Sequence, residues 1–508
     1  MDSDTPNRSD IPTALLADID EFGKPVDAKP PNKTPGFSRL SLFLSWAAIL
    51  AMTFFMFGMV LYMQLVPDET ATETAGKSIE LLQVNTFAKM VVGQKEMGMK
   101  GASYSQQLEQ FNAGPLDQRY AYTVLVNEVD GPESALDALA TVDEAVKEHD
   151  YQPTDREKRL RKIIDELLQQ YKTGDLDSSD MPEDEQQFLE SNLGWVGKLF
   201  LYPEGTVNKP DRKALTGVAQ TSMILFSVLC VGVFMMLMAG FLFIAVFLFL
   251  IAGNKLTGLF QPFTNHGVVY AETFAIWIAC FFPAQMSAGL FVERIPAAIV
   301  DFIVPIIFFG SLGVLVWPLI RGVSISKLRR DIGWELKNPF VEMGCGVATY
   351  LSSLPALGLA IIVSVFVMGA MSLTQTHDEF SSVGGGAHPI VDQFAQGDFN
   401  TILMAFLTAC IAAPIVEETM FRGVLYRHLR ELSANKAKWV SVGLSALFNS
   451  LIFASIHPQG LAGIPVLTTI AIAMSMAREW RSSLIAPMTM HAIHNTLATS
   501  VLMLMTLE

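Results

Sequence analysis

The chain has 508 residues, 51% of them hydrophobic, with a mean hydropathy of +0.37, a formal net charge of −15 and a pI near 5.0. Such a composition excludes an ordinary soluble domain and points to several membrane spans. The acidic balance offers no basic footprint, which excludes nucleic acid as a partner.

Residues 1–40 are polar, rich in Pro and Asp and without helical periodicity, so they read as a disordered tail. The first apolar run, 42–66, is too long for the hydrophobic core of a signal peptide. It is long enough to cross ~30 Å of hydrocarbon, which makes 41–66 the first span. Residues 67–215 then break the membrane pattern. Apolar side chains recur at helical spacing over 136–146 and 160–171, with charges between and prolines at 115, 132, 153 and 182. A helical extramembrane domain is expected here, in which 135–147 and 159–171 form an antiparallel hairpin like one tetratricopeptide unit. One such pair is too little for a repeat fold, and the domain's partner is unknown.

From 217 the chain returns to the bilayer. Spans are expected at 218–252, 268–292, 298–320, 343–373, 402–421, 439–456, 461–477 and 484–505, nine with the first. The fold class is therefore all-α, a polytopic membrane protein with a helical domain inserted after its first span. Four spans fill 217–373, a flexible outer loop covers 374–400, and the last four fill 401–508. Cys230, Cys280, Cys345 and Cys410 all lie in apolar runs and form no CxxC. They read as small buried hydrophobes, not as a disulfide framework or thiolate zinc site.

Basic residues crowd three loops: Arg321, Lys327, Arg329, Arg330 and Lys337; then Arg422, Arg427, Arg430, Lys436 and Lys438; then Arg478 and Arg481. All fall on one side when the spans alternate, while 374–400 has no Lys or Arg and falls on the other. The positive-inside rule then makes the amino-terminal tail cytoplasmic and puts 67–215 outside. The expected location is multi-pass in a membrane, the plasma membrane or, in a bacterium, the inner one. The glycine triplet at 384–386 marks flexibility, since no lysine or helix start completes a phosphate loop. His377 and His388 beside it read as plain exposed histidines.

Three short patterns sit in the last hundred residues: Glu417-Glu418-x-x-x-Arg422, Phe453-x-x-x-His457 and His491-x-x-x-Asn495. An ionisable group at mid-membrane costs about 2.5–3.5 kcal/mol on insertion scales, so adjacent glutamates there need a reason. Arg422 follows Glu418 by four and can meet it on one helix face, which leaves Glu417 without a local partner. A turn near 433–438 makes an antiparallel helix pair that sets Glu417 beside position 455 and Glu418 beside 454. His457 and Phe453 are then within about one turn, ~5.4 Å. His491 and Asn495 share a face of the last span, ~13–20 Å from its start. Five polar groups can thus converge in one buried cavity. Among their neighbours, His428 is expected to face solvent, Asn449 and His494 to bond between helices, and Phe453 to pack against His457.

Together the three patterns resemble the CAAX-protease and bacteriocin-processing enzyme family (CPBP) of intramembrane proteases. Glu417, Glu418 and Arg422 match its double-glutamate motif, Phe453 and His457 its second motif, His491 and Asn495 its third. The motif region covers about 400–508, and the family's all-helical core would reach back to about 220. The resemblance implies an intramembrane endopeptidase in which Glu417 and His457 activate water, and Glu418, held by Arg422, orients the pair. It implies His491 and Asn495 as oxyanion donors, and a membrane-tethered protein or peptide as substrate. Family members are often labelled metalloproteases. In a metal version, Glu417, His457 and His491 would hold zinc (Zn) with a water completing a tetrahedron. No HExxH is present and Asn495 suits an oxyanion role, which favours metal-independent chemistry. The basic stretches at 422–438 and 478–481 are expected to rim a cavity that opens to the cytoplasm. Two rivals stand beside the enzyme: a non-catalytic scaffold or bacteriocin-immunity-type protein on the same fold, and a proton-coupled transporter, which lacks a visible inverted repeat.

Overall fold

A computed structural model describes residues 38–65, 71–99, 103–177, 181–206, 208–253, 255, 268–291, 297–335, 338–374, 380 and 399–505. The expected tail over 1–37 and nearly all of the expected outer loop, with His377 and His388, lie outside these residues. The described residues form helices and connections, with no strand among them. Eight helices are long and apolar enough to cross a membrane: Arg39–Tyr62, Lys209–Ala252, Val269–Gly289, Ile299–Ile320, Pro339–Met371, Phe399–Leu432, Lys438–Ser455 and Gly460–Arg481. A ninth helix, Ile485–Met505, packs against Pro339–Thr374 and Gly460–Arg481. The protein is an all-α, multi-pass membrane protein, and its helices fall where hydropathy puts them.

Between the first two spans, helices at Ala71–Glu96, Leu116–Asp130, Pro132–Glu148, Asp155–Lys172, Glu183–Leu193 and Trp195–Leu201 enclose a core that includes Leu125, Leu139, Leu160, Leu168, Leu193 and Phe200. The expected hairpin is present as Pro132–Glu148 packed on Asp155–Lys172. Its second helix starts at a capping box. The Thr154 hydroxyl accepts from the Glu157 amide, and the Glu157 carboxylate accepts from the Thr154 amide at 2.8 Å.

The 44-residue helix Lys209–Ala252 is ~66 Å long, twice the hydrocarbon thickness. Its first turns leave the bilayer and seat the helix Ala71–Glu96. Contact is closest at Gly93, where a Cβ would lie 2.5 Å from the Ala219 carbonyl oxygen. Phe380 comes from the far end of the sequence into the same core. Its ring lies 4.6 Å from the Arg119 guanidinium and 4.6 Å from the Tyr151 ring. Phe380 and the helices at 71–201 therefore share one core.

The last helix is seated in a similar way. A Cβ at Gly346 would lie 2.6 Å from the Ala486 carbonyl oxygen, so Pro339–Thr374 approaches it backbone to backbone. Aromatic packing fills the bundle beside it, with Trp277, Phe281, Phe421 and Phe453 in one buried cluster. The cysteines depart from expectation: Cys410 is buried and Cys345 half-buried, but Cys230 and Cys280 are exposed. In a bilayer, the outward face of an apolar span satisfies a thiol as well as a core does.

Candidate active site

The helix Phe399–Leu432 carries both glutamates and is not uniform. It widens to π-helix at Thr408–Ala412 and again at Thr419–Leu425, on either side of Ala413–Glu418. Such insertions re-aim side chains and recur at functional sites. Asn495 donates to the carbonyl of Ala409, inside the first insertion, at 2.7 Å. Trp334 donates to the Thr419 hydroxyl, at the start of the second, at 3.0 Å.

Glu418 is tied into the bundle by two partners. Its Oε1 accepts from Arg422 Nη1 at 2.8 Å and from His491 Nδ1 at 2.9 Å. The side chains of Glu418 and Arg422 are both 0% exposed. A buried charge must be paired and hydrogen-bonded, and Arg422 meets this further by donating from Nη2 to the Ala471 carbonyl at 3.1 Å. Its guanidinium also lies over the Phe453 ring, 4.6 Å from the centroid.

Glu417 is placed differently. Its Oε2 is buried and accepts no hydrogen bond from the protein. It lies 3.9 Å from His457 Nε2 and 3.9 Å from His491 Nε2. These separations are too long for direct hydrogen bonds and suit a small group held between. The tautomers follow from the other ring nitrogens. His457 Nδ1 faces the Phe453 carbonyl, which can only accept, so that nitrogen carries the hydrogen. His491 Nδ1 donates to the Glu418 carboxylate. In the neutral rings both Nε2 atoms are then lone pairs directed at the same space as Glu417 Oε2. Phe453 packs on His457, with centroids 4.2 Å apart, and edge-on to His491 at 6.1 Å. It thereby buttresses both imidazoles and Arg422.

The structure thus brings together Glu417, Glu418, Arg422, His457 and His491, with Asn495 one turn after His491. Asn495 spends one amide hydrogen on Ala409 and keeps a second. Among the three candidate zinc ligands, Glu417 stands 3.9 Å from each histidine. Ligand atoms about 2.0–2.1 Å from a tetrahedral metal are about 3.4 Å apart, closer than the 3.9 Å found here. Among the described residues no group of three His, Cys, Asp or Glu side chains has metal-binding spacing, so the residues as they stand do not fit the tetrahedral set.

Two expectations about the surroundings are corrected. Within the basic stretches Lys436 and Lys438 are exposed, but Arg427, Arg430 and Arg478 are not a solvated rim. Arg427 pairs with Asp331 at 3.3 Å and with Glu431 at 3.0 Å, and Arg430 pairs with Glu479 at 3.0 Å. Tyr426 also donates to Glu479, and Arg478 donates to the Asp331 carbonyl, each at 3.0 Å. These arginines are buried. They tie the glutamate helix to its neighbours. His428 is likewise not solvent-facing: it is 1% exposed, and its ring lies 5.9 Å from that of Trp46.

The flanking readings divide. Asn449 bonds between helices as expected, donating to Ser475 at 3.4 Å. His494 meets the Tyr350 ring at 6.2 Å where a hydrogen bond was expected. Sequence reasoning missed Asp331, Glu479 and Glu342 as arginine partners, the last pairing with Arg481 at 2.6 Å, and Ala409 and Ala471 as acceptors. Each carboxylate is remote in sequence from its arginine, and a carbonyl carries no sequence signal at all. Only the i, i+4 pair Arg427–Glu431 could have been read directly.

Comparison with known proteins finds a match over the stretch that carries these residues. Residues 399–497 match a family model described as type II CAAX prenyl endopeptidase, Rce1-like. The chain is 28% identical over 154 residues to an uncharacterized 24.3 kDa protein of Escherichia coli, covering 29% of this chain and 69% of that one. No solved structure matches.

Proposed function

We propose that this multi-pass protein, a member of the CAAX-protease and bacteriocin-processing family, is an intramembrane endopeptidase that cleaves a membrane-associated substrate by an activated water. The observation that carries the reading is the convergence of His457 Nε2 and His491 Nε2 on Glu417 Oε2, each at 3.9 Å. Three acceptors facing one space call for a donor between them, and water is the donor that hydrolysis requires.

A water held there gives one hydrogen to Glu417 and the other to an imidazole. As its oxygen attacks the scissile carbonyl carbon, Glu417 takes the proton. The C–O bond forms and the carbonyl electron pair moves to oxygen. Collapse of the tetrahedral intermediate breaks the C–N bond, and Glu417 returns its proton to the departing amine. Arg422 and Glu418 do not meet the substrate; they fix the tautomer and orientation of His491. The remaining amide hydrogen of Asn495 is the neutral donor for the oxyanion. His491 differs here from the role that the resemblance implies. With Nδ1–H spent on Glu418, a neutral His491 positions water and can donate to an oxyanion only when protonated.

Zinc has no step in this scheme, because the ligand spacing does not fit it. We further infer that the amino terminus is cytoplasmic and that the helices at 71–201 stand outside, from the distribution of basic residues. Replacing Glu417 by Gln tests the assignment: peptidase activity is lost while the fold is retained. A protein whose cleavage products persist in Glu417→Gln is instead a scaffold on this fold or hydrolyses by other residues.

A further inference from the structure

The connection between the spans Ile299–Ile320 and Pro339–Met371 carries one short helix, Ile325–Ile332. Its two faces differ. Leu328, Asp331 and Ile332 are buried, whereas Ile325, Ser326, Arg329 and Arg330 are exposed on the other side. The buried face is fastened beside the candidate site. Asp331 pairs with Arg427 at 3.3 Å. Ile332 packs on the second π-helical insertion, where a Cβ at Gly423 would lie 3.1 Å from the Ile332 Cβ. Trp334, two residues on, donates to Thr419 at 3.0 Å.

The exposed face carries charge of one sign. Arg321, Arg427, Arg430 and Arg481 each meet a carboxylate. Arg329 and Arg330 have no such partner among the described residues. A cationic face of this kind fits an anion, and its setting says which. The helix follows Ile320, the last residue of a span, after a tight turn in which the Gly322 and Val323 amides donate to the Leu319 and Pro318 carbonyls. Phe340 opens the next span a few residues beyond it. Ile320 is 69% exposed and Phe340 82%, and Ile325, one turn before Arg329 on the same face, is 65% exposed. Large apolar side chains left outward at span ends are solvated by lipid, and basic side chains among them stand where headgroups are.

We propose that the exposed face of Ile325–Ile332 docks on anionic phospholipid headgroups of the adjacent leaflet. Arg329 and Arg330 meet the phosphates, and Ile325 enters the edge of the acyl region. The lipid then steadies a helix whose other face braces the insertion that follows Glu418. The charge of the bilayer thereby becomes a structural partner of the helix that carries both glutamates.

The test is hydrogen exchange of the full chain over Ile325–Gly333, in nanodiscs of phosphatidylcholine with or without phosphatidylglycerol. Exchange should slow with phosphatidylglycerol by about fivefold for each arginine engaged, the scale of one basic side chain at an anionic surface. Arg329→Gln combined with Arg330→Gln should remove the difference, and Arg329→Lys combined with Arg330→Lys should keep it. High salt should remove it in the unaltered chain, which carries the test if the glutamine pair does not fold. Equal exchange in the two lipids overturns the proposal, as does a difference that survives in the folded glutamine pair. So does protection conferred by inorganic phosphate or poly-glutamate where phosphatidylglycerol confers none, which makes the face a site for a soluble anion. None of these readings depends on peptidase activity.

Discussion

Glu418 Oε1 accepts from Arg422 Nη1 at 2.8 Å and from His491 Nδ1 at 2.9 Å, and so joins two helices that are far apart in sequence. The carboxylate beside it, Glu417, is left facing two imidazole nitrogens. The division of labour between two adjacent glutamates rests on this difference. One is paired with a buried cation and acts as a strut; the other faces both imidazole Nε2 atoms at 3.9 Å.

Breaking the strut should cost stability before it costs chemistry. Arg422→Met leaves Glu418 as an unpaired buried charge, with an expected loss of about 3–5 kcal/mol. The double variant Glu418→Leu with Arg422→Met removes both charges and should recover most of that loss while remaining inactive. Thermal unfolding of the purified single and double variants reads this directly. A single variant as stable as the parent contradicts the role assigned to the pair.

His457 is assigned to the water that it shares with Glu417. His457→Ala should lower kcat by about 10²–10⁴-fold, the range for loss of one acid–base group, with little change in KM. Steady-state kinetics on a membrane-reconstituted substrate measures it. A change confined to KM would make His457 a binding residue.

Metal content follows from the spacing around Glu417. Chelator treatment should leave activity unchanged, and elemental analysis of the detergent-purified protein should find zinc well below one per chain. Stoichiometric zinc that survives chelation, with activity that falls as it is stripped, contradicts the metal-independent scheme and means that the histidines close around an ion.

Phe380 should help to hold the core of the helices at 71–201. Buried among Arg119, His149 and Tyr151, it is worth about 3–5 kcal/mol on truncation to Ala. Hydrogen exchange over Leu116–Asp130 should accelerate in Phe380→Ala. Unchanged protection there would mean that the ring is peripheral to this core.

Much of this arrangement is legible in the chain itself, and the exceptions have physical reasons. Glu418 and Arg422 are four apart on one helix, so their pairing is local geometry. His457 follows from a hairpin turn near 433–438 that sets two helices antiparallel. The role of Phe453 follows from its place one turn before His457, although its contact with Arg422 does not. The ion pairs of the basic stretches stay hidden in the sequence because a charge count does not see partners. Arg430 finds Glu479, and Arg427 finds Asp331, only once the bundle has closed. His428 misled for the same reason: its neighbour Trp46 comes from the first span. The π-helical insertions have no composition signal, since Thr408–Ala412 reads as ordinary apolar helix.

The central claim is that Glu417 activates the hydrolytic water. The most direct measurement is comparative proteomics of membrane-protein termini in cells that carry the intact chain or Glu417→Gln at equal abundance. Termini produced by the intact chain should vanish with Glu417→Gln, while the purified variant unfolds at the parent temperature. The same termini at the same levels with Glu417→Gln would contradict the claim.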